Sequence, residues 1–119
     1  MKFILDGNNV VCYFNRKSPI LDLLKNFLDH LESYGDTLVI ISNELKYKLP
    51  QKKLPANLLS DERILIAPAN SDTDLFLLDF ADQLNAQLIS NDLFRQFKSL
   101  YQNIISRKIP FMIIQDFPI

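Results

Sequence analysis

Short apolar runs, each too brief to make a helix, place the strongest constraint on how this chain folds. They stand at residues 3–5, 37–41, 64–67 and 87–89, with a fifth at 110–114. Runs this short and this continuously apolar suit strands covered on both faces, as in a parallel sheet between helices. The intervening segments carry the helical period instead. Ser18-Pro19 offers a cap and then a proline for the first helical position; Leu21, Leu24, Leu28 and Leu31 follow on one stripe, with a stop at Tyr34-Gly35. Ser71-Asp72-Thr73-Asp74 reads as a capping box ahead of Leu77, Ala81 and Leu84. A third helix is expected over about 93–105, with Phe94, Phe97, Leu100 and Ile104 inward. Residues 43–62, with prolines at 50 and 55, read as a loop with one short helix. This alternation predicts the α/β class, with right-handed crossovers and a mainly parallel sheet.

At 119 residues the chain is expected to form one domain over 1–119. Its formal charge of -1 argues against bulk attraction to nucleic acid, but the charges are segregated. Lys46, Lys48, Lys52 and Lys53 form a basic stretch, whereas Asp72, Asp74, Asp79, Asp82 and Asp92 lie in a stretch without Lys or Arg. A single cysteine, Cys12, and a single histidine, His30, give neither a disulfide nor a structural zinc cluster. With no apolar run long enough for a membrane span, the expectation is a soluble, cytoplasmic protein with no membrane partner.

In open parallel sheets, sites form beyond the carboxyl ends of the strands. Three loops carrying acids are expected to gather there: Asp6-Gly7-Asn8-Asn9 after the first strand, Asp72 and Asp74 at the opening of the helix before the fourth, and Ser90-Asn91-Asp92 after it. Each acid alone also fits a cap or a tight turn. Together they repel one another unless a cation compensates, and oxygen-only ligands favour Mg²⁺ or Mn²⁺. Phosphodiester hydrolysis or phosphoryl transfer is the chemistry such an ion serves.

The segments ILDGNNV and DTDLFLLDFADQLNAQLISND resemble the two signature stretches of NYN domains in the PIN-like nuclease superfamily, those of Regnase-type ribonucleases above all. The pattern is carried by Asp6-Gly7-Asn8-Asn9, by Asp74 with Ala81, and by Ser90-Asn91-Asp92 with Phe94-Arg95. The resemblance implies a three-layer α/β/α domain with strand order 3-2-1-4-5 and metal-dependent cleavage of single-stranded RNA by a water nucleophile. By that resemblance, Asp6, Asp74 and Asp92 are the metal-holding catalytic acids. Asn9 holds the first acidic loop and faces substrate, and Asn91 or Ser90 supports the acid of the fourth strand. PIN-like domains often dimerise to lengthen an RNA groove, so a homodimer is a further implication. Two positions depart from the family: Thr73 precedes Asp74 where a second acid is common, and Gln96 stands where a further acid follows the Ser-Asn-Asp motif.

A nuclease must also hold phosphates, so Lys46, Lys48 and Arg95 are candidate substrate contacts. Tyr47 is a candidate for base stacking, and Tyr13, Phe14, Arg16 and Lys17 form a second aromatic and basic loop. His30 reads as a helix-surface residue and Cys12 as a small buried one. The alternative from a different class is an RNA-binding or regulatory domain that keeps this fold and has lost part of the acidic set. Haloacid-dehalogenase-like and phosphate-receiver readings lack their second aspartate.

Overall fold

The structure is a computed structural model that describes residues 2–114 and 117–118. Four parallel strands form the central sheet: β1 (Lys2–Asp6), β2 (Asp36–Ser42), β3 (Ile64–Ala67) and β4 (Gln87–Ile89), in the order β3-β2-β1-β4. Alternation along the strands builds a core on each face. Phe3, Leu5, Val39 and Ile41 pack on the side of α2 (Asp22–Leu31), with its Leu24, Phe27 and Leu28. Ile4, Ile40 and Leu88 pack on the other side, against Leu77, Leu78 and Ala81 of α4 (Thr73–Gln83). The result is the expected three-layer α/β/α arrangement with parallel strands ordered 3-2-1-4.

The fifth position is filled differently from the expectation. Ile109 makes a single parallel bridge to Ile89, donating to Leu88 O at 2.9 Å and accepting from Ser90 N at 3.1 Å. The 110–114 run then leaves the main sheet; Ile113–Ile114 (β5) pairs antiparallel with Phe117–Pro118 (β6). The cause is the brevity of β4, which turns away at Ser90 and leaves no backbone to pair beyond Ile109. The Asn91 carboxamide substitutes for it, accepting from Phe111 N and donating to Phe111 O, each at 2.9 Å.

Four helical expectations also change. A five-residue helix, α1 (Gly7–Val11), follows β1 where a loop was expected, and the stripe from Leu21 becomes helical at Asp22, not at Ser18-Pro19. Asp72, not Ser71, caps α4: its Oδ1 accepts from the N–H groups of Asp74 at 3.1 Å and Leu75 at 3.3 Å. The helix expected over 93–105 is a 3-10 turn at Arg95–Phe97 followed by α5 (Gln102–Ser106). Phe94 breaks it: Asp92 Oδ1 accepts from Phe94 N at 2.9 Å, and the backbone there has φ +48° while the ring is buried. Leu100, expected inward, is 75% exposed as a result. Residues 43–62 hold a 3-10 helix at Asn43–Lys48 and a short α3 (Ala56–Leu59). No helix among the described residues is long and apolar enough to cross a membrane.

Candidate active site

Hydrogen bonds lock together the carboxyl ends of three neighbouring strands. Asp6 ends β1 and caps α1, and its two oxygens are both engaged: Asn9 N donates to Oδ1 at 3.3 Å and the Ser90 hydroxyl donates to Oδ2 at 2.7 Å. The same Ser90 oxygen accepts from Asp92 N at 3.0 Å, so one fully buried hydroxyl links the acid after β4 to the acid after β1. Asn9 closes the gap from the other direction, its Oδ1 accepting from Asn91 N at 2.8 Å. On the β2 side, Asn8 Oδ1 accepts from Ser42 N at 3.0 Å and Asn8 Nδ2 donates to Ser42 Oγ at 2.7 Å. Gly7 permits this close approach, because a Cβ there would stand 2.4 Å from Ile41 Cγ2 and 2.9 Å from Ile40 O.

Asp74 enters from the first turn of α4, beside the capping Asp72. Asp6, Asp74 and Asp92 thus line one cleft of about 380 Å³, whose other wall carries Tyr13, Arg16 and Lys48. A second hollow of about 670 Å³ shares Asn9, Arg16, Asp74, Asn91 and Asp92 with it and extends to Arg95 and Gln96. The two make a continuous trough with acids along the middle and cations toward both ends.

The acids are electrostatically uncompensated. Burial pushes Asp6 from 3.8 up to about 6, overriding the lowering by Ser90 and Asn9, and the charges of Asp74 and Asp92 add to the rise. Asp74 is also raised to about 6, by burial first and then by repulsion from Asp92 and Asp72. Among the described residues, no three His, Cys, Asp or Glu side chains are gathered tightly enough to cage an ion. The donor set fits a hydrated hard cation, which takes one or two carboxylates and keeps its other places for water and phosphate oxygens. Burial raises the Cys12 thiol as well, so its position in the cleft wall does not make it a ready thiolate.

The trough brings together Asp6, Asp74, Asp92, Asn9, Asn91, Arg95 and Lys48. Lys46 lies apart from it, with its ammonium 5.3 Å from the Tyr47 ring centroid, and Lys52 donates to Tyr47 O at 2.8 Å. Arg95 makes no ion pair with Asp92; among the described residues, the ion pairs are those of Arg63. His30 is exposed on α2, against Tyr34. Sequence reasoning missed Asn8 and Ser42, whose pairing depends on strand neighbours 34 residues apart, and Lys108, which donates to Ser90 O at 3.0 Å. Only the second asparagine of the Asp-Gly-Asn-Asn motif carried a signal, through the resemblance.

The family model for the Zc3h12a-like ribonuclease NYN domain matches residues 2–118. No curated protein gives a significant match. Among solved structures, the chain is similar to nuclear proteinaceous RNase P 2 (PRORP2) from A. thaliana, with TM-score 0.76 and 19% identity over 98% of this chain and 28% of that one. A second structure, of Arabidopsis thaliana nuclear protein-only RNase P 2, gives TM-score 0.75 and 20% identity over 98% of this chain and 29% of the other. At that identity the likeness concerns the fold, and the chain spans less than a third of the length of those proteins.

Proposed function

The chain belongs to the Zc3h12a-like ribonuclease NYN domain family, and from that premise we propose that it is an endoribonuclease that cuts single-stranded RNA with Mg²⁺ or Mn²⁺. The observation that carries this reading is the convergence of Asp6, Asp74 and Asp92 on one trough with free cations at its ends. Asp6, Asp74 and Asp92 would hold the ion. When bound, a divalent ion supplies charge neutralisation at phosphorus and an acidified water. Ser90 and Asn9 fix the Asp6 carboxylate through both of its oxygens, so that it need not reorganise during reaction. Lys48 in the first hollow, Arg95 in the second and Arg16, which lines both, hold backbone phosphates against the repulsion of the acids.

A second reading, RNA binding without cleavage, is favoured by Thr73 and Gln96 at positions where the family has acids. Asp72 caps α4 through its Oδ1 and is not among the residues that line the trough. Labelled single-stranded RNA incubated with the protein in Mn²⁺, Mg²⁺ or EDTA separates the two. Internal cleavage in either metal and none in EDTA is expected; salt-sensitive binding without cleavage in any of them would leave the binding reading in place.

A further inference from the structure

The cleft that holds Asp6, Asp74 and Asp92 has one aromatic residue in its lining, and the surrounding side chains fix the position of its ring. Tyr13 lines the same cleft as Asp6, Asp74 and Asp92 and is 37% exposed. Phe14 meets its ring edge-to-face at 5.1 Å, and Phe111 supports it at 5.7 Å with a 38° tilt. Phe111 in turn is wedged edge-to-face against Phe27 at 5.2 Å, and its backbone is held at both groups by the Asn91 carboxamide. Asn91 N donates to Asn9. A chain of contacts therefore ties the Tyr13 ring to the loops bearing Asp6 and Asp92, so it stands in a set relation to the acids.

The geometry points to Tyr13 as the platform on which an unpaired RNA base stacks next to the reacting phosphate. This rests on the nuclease reading of the same trough. The chemistry follows from what lines it: carboxylates along the middle repel a phosphate backbone, so affinity close to the acids has to come from a neutral part of the nucleotide. A base presents an uncharged π-face, which an aromatic side chain takes with little regard to sequence. Arg16, beside Tyr13 and without an ion pair among the described residues, suits the phosphate next to that base. A-form duplex keeps its base faces stacked inside, so the occupant is a nucleotide in a single strand, loop or bulge. Tyr47, the other candidate for stacking, is 56% exposed but lies outside the trough, with Lys46 over its ring.

The test compares Tyr13→Ala, Tyr13→Leu and Tyr13→Phe. Leucine retains apolar contact with Phe111 without a π-face, and phenylalanine retains the face without the hydroxyl. In steady-state cleavage of single-stranded RNA, Tyr13→Ala and Tyr13→Leu are expected to raise KM about 5- to 150-fold, the range of one lost base–aromatic stack, with a smaller change in kcat. Tyr13→Phe is expected to stay within about threefold of wild type. A second readout does not need cleavage: the same three substitutions in an Asp6→Asn background, mixed with single-stranded RNA carrying 2-aminopurine at successive positions. Quenching at one position is expected with tyrosine or phenylalanine at residue 13 and lost with alanine or leucine. If RNA is cleaved but the leucine variant keeps the wild-type KM and the quenching, the platform is overturned and the nuclease reading stands. If no metal supports cleavage but quenching tracks the ring, the platform stands and the nuclease reading falls. Equal losses in Tyr13→Phe and Tyr13→Leu would assign the effect to the hydroxyl and overturn stacking.

Discussion

At the turn into β3, Asp61 faces Arg63, which donates to Asp61 Oδ1 through Nε at 3.0 Å and to Oδ2 through Nη2 at 2.9 Å, while its Nη1 also reaches Glu32. The hydrogen bonds from the Arg63 side chain and backbone hold Asp61 down at about 2. At the carboxyl end of the sheet, Asp6 and Asp74 sit at about 6; they share a trough with Asp92, and none of the three carboxylates joins the ion pairs found among the described residues. Both groups are built from acids at strand or helix ends. The first satisfies its charges internally and acts in folding; the second leaves them without an opposite charge at a cost to folding, which is what the proposed cation would relieve.

The largest expected difference between the two is in activity. Asp6→Asn and Asp92→Asn are each expected to lower RNA cleavage in Mn²⁺ by at least about 100-fold, whereas Asp61→Asn stays near wild type; cleavage of labelled single-stranded RNA reads all three. A large loss in Asp61→Asn would break the contrast.

The next effect concerns stability without metal. The rise from 3.8 to about 6 corresponds to about 3 kcal/mol disfavouring the ionised, folded Asp6. Asparagine removes that charge but forfeits one of two acceptors, about 1 kcal/mol, so Asp6→Asn is expected to be about 1–2 kcal/mol more stable than wild type at pH 7 in EDTA. The sign also fixes the pH profile. For Asp6 and Asp74, whose folded values are raised, the favourable contribution is complete below 3.8 and lost as pH rises through about 6. For Asp61, whose folded value is lowered, it is complete above 3.8 and lost as pH falls through about 2. The urea midpoint of metal-free protein is therefore expected to rise from pH 7 to pH 5, and that rise to shrink in Asp6→Asn.

Ser90→Ala leaves a buried carboxylate oxygen without its donor and Asp92 N without its acceptor, with an expected cost of about 1–3 kcal/mol in chemical denaturation. Asp61→Asn is expected to cost least, below about 1 kcal/mol, because its pair with Arg63 is solvent-screened.

The sheet was legible in the sequence because both faces of each strand are covered, which turns the period-two pattern into continuous apolar runs at 37–41 and 64–67. The acids were legible because Asp6 ends β1, Asp74 stands in the first turn of α4 and Asp92 follows β4 by three residues. Local rules failed where a distant partner took a group they had assigned. Residues 93–105 have helical spacing, but an Asx turn from Asp92 and a left-handed Phe94 redirect the chain. The run at 110–114 is apolar enough for a strand, yet the neighbouring strand ends early to serve Asp6, and an asparagine side chain completes the pairing. Tyr13 and Arg16 reach the trough only because Asp6 starts a helix where a turn was expected.

The most direct test of the contrast is a calorimetric titration of Mn²⁺ into metal-free wild type and Asp6→Asn at pH 6, in two buffers of different ionisation enthalpy. The expected result is saturable binding by wild type with release of protons from the raised carboxyls, and loss of that binding in Asp6→Asn. Equal affinity in the two proteins, or no binding by wild type, would contradict the assignment of these acids as a cation site.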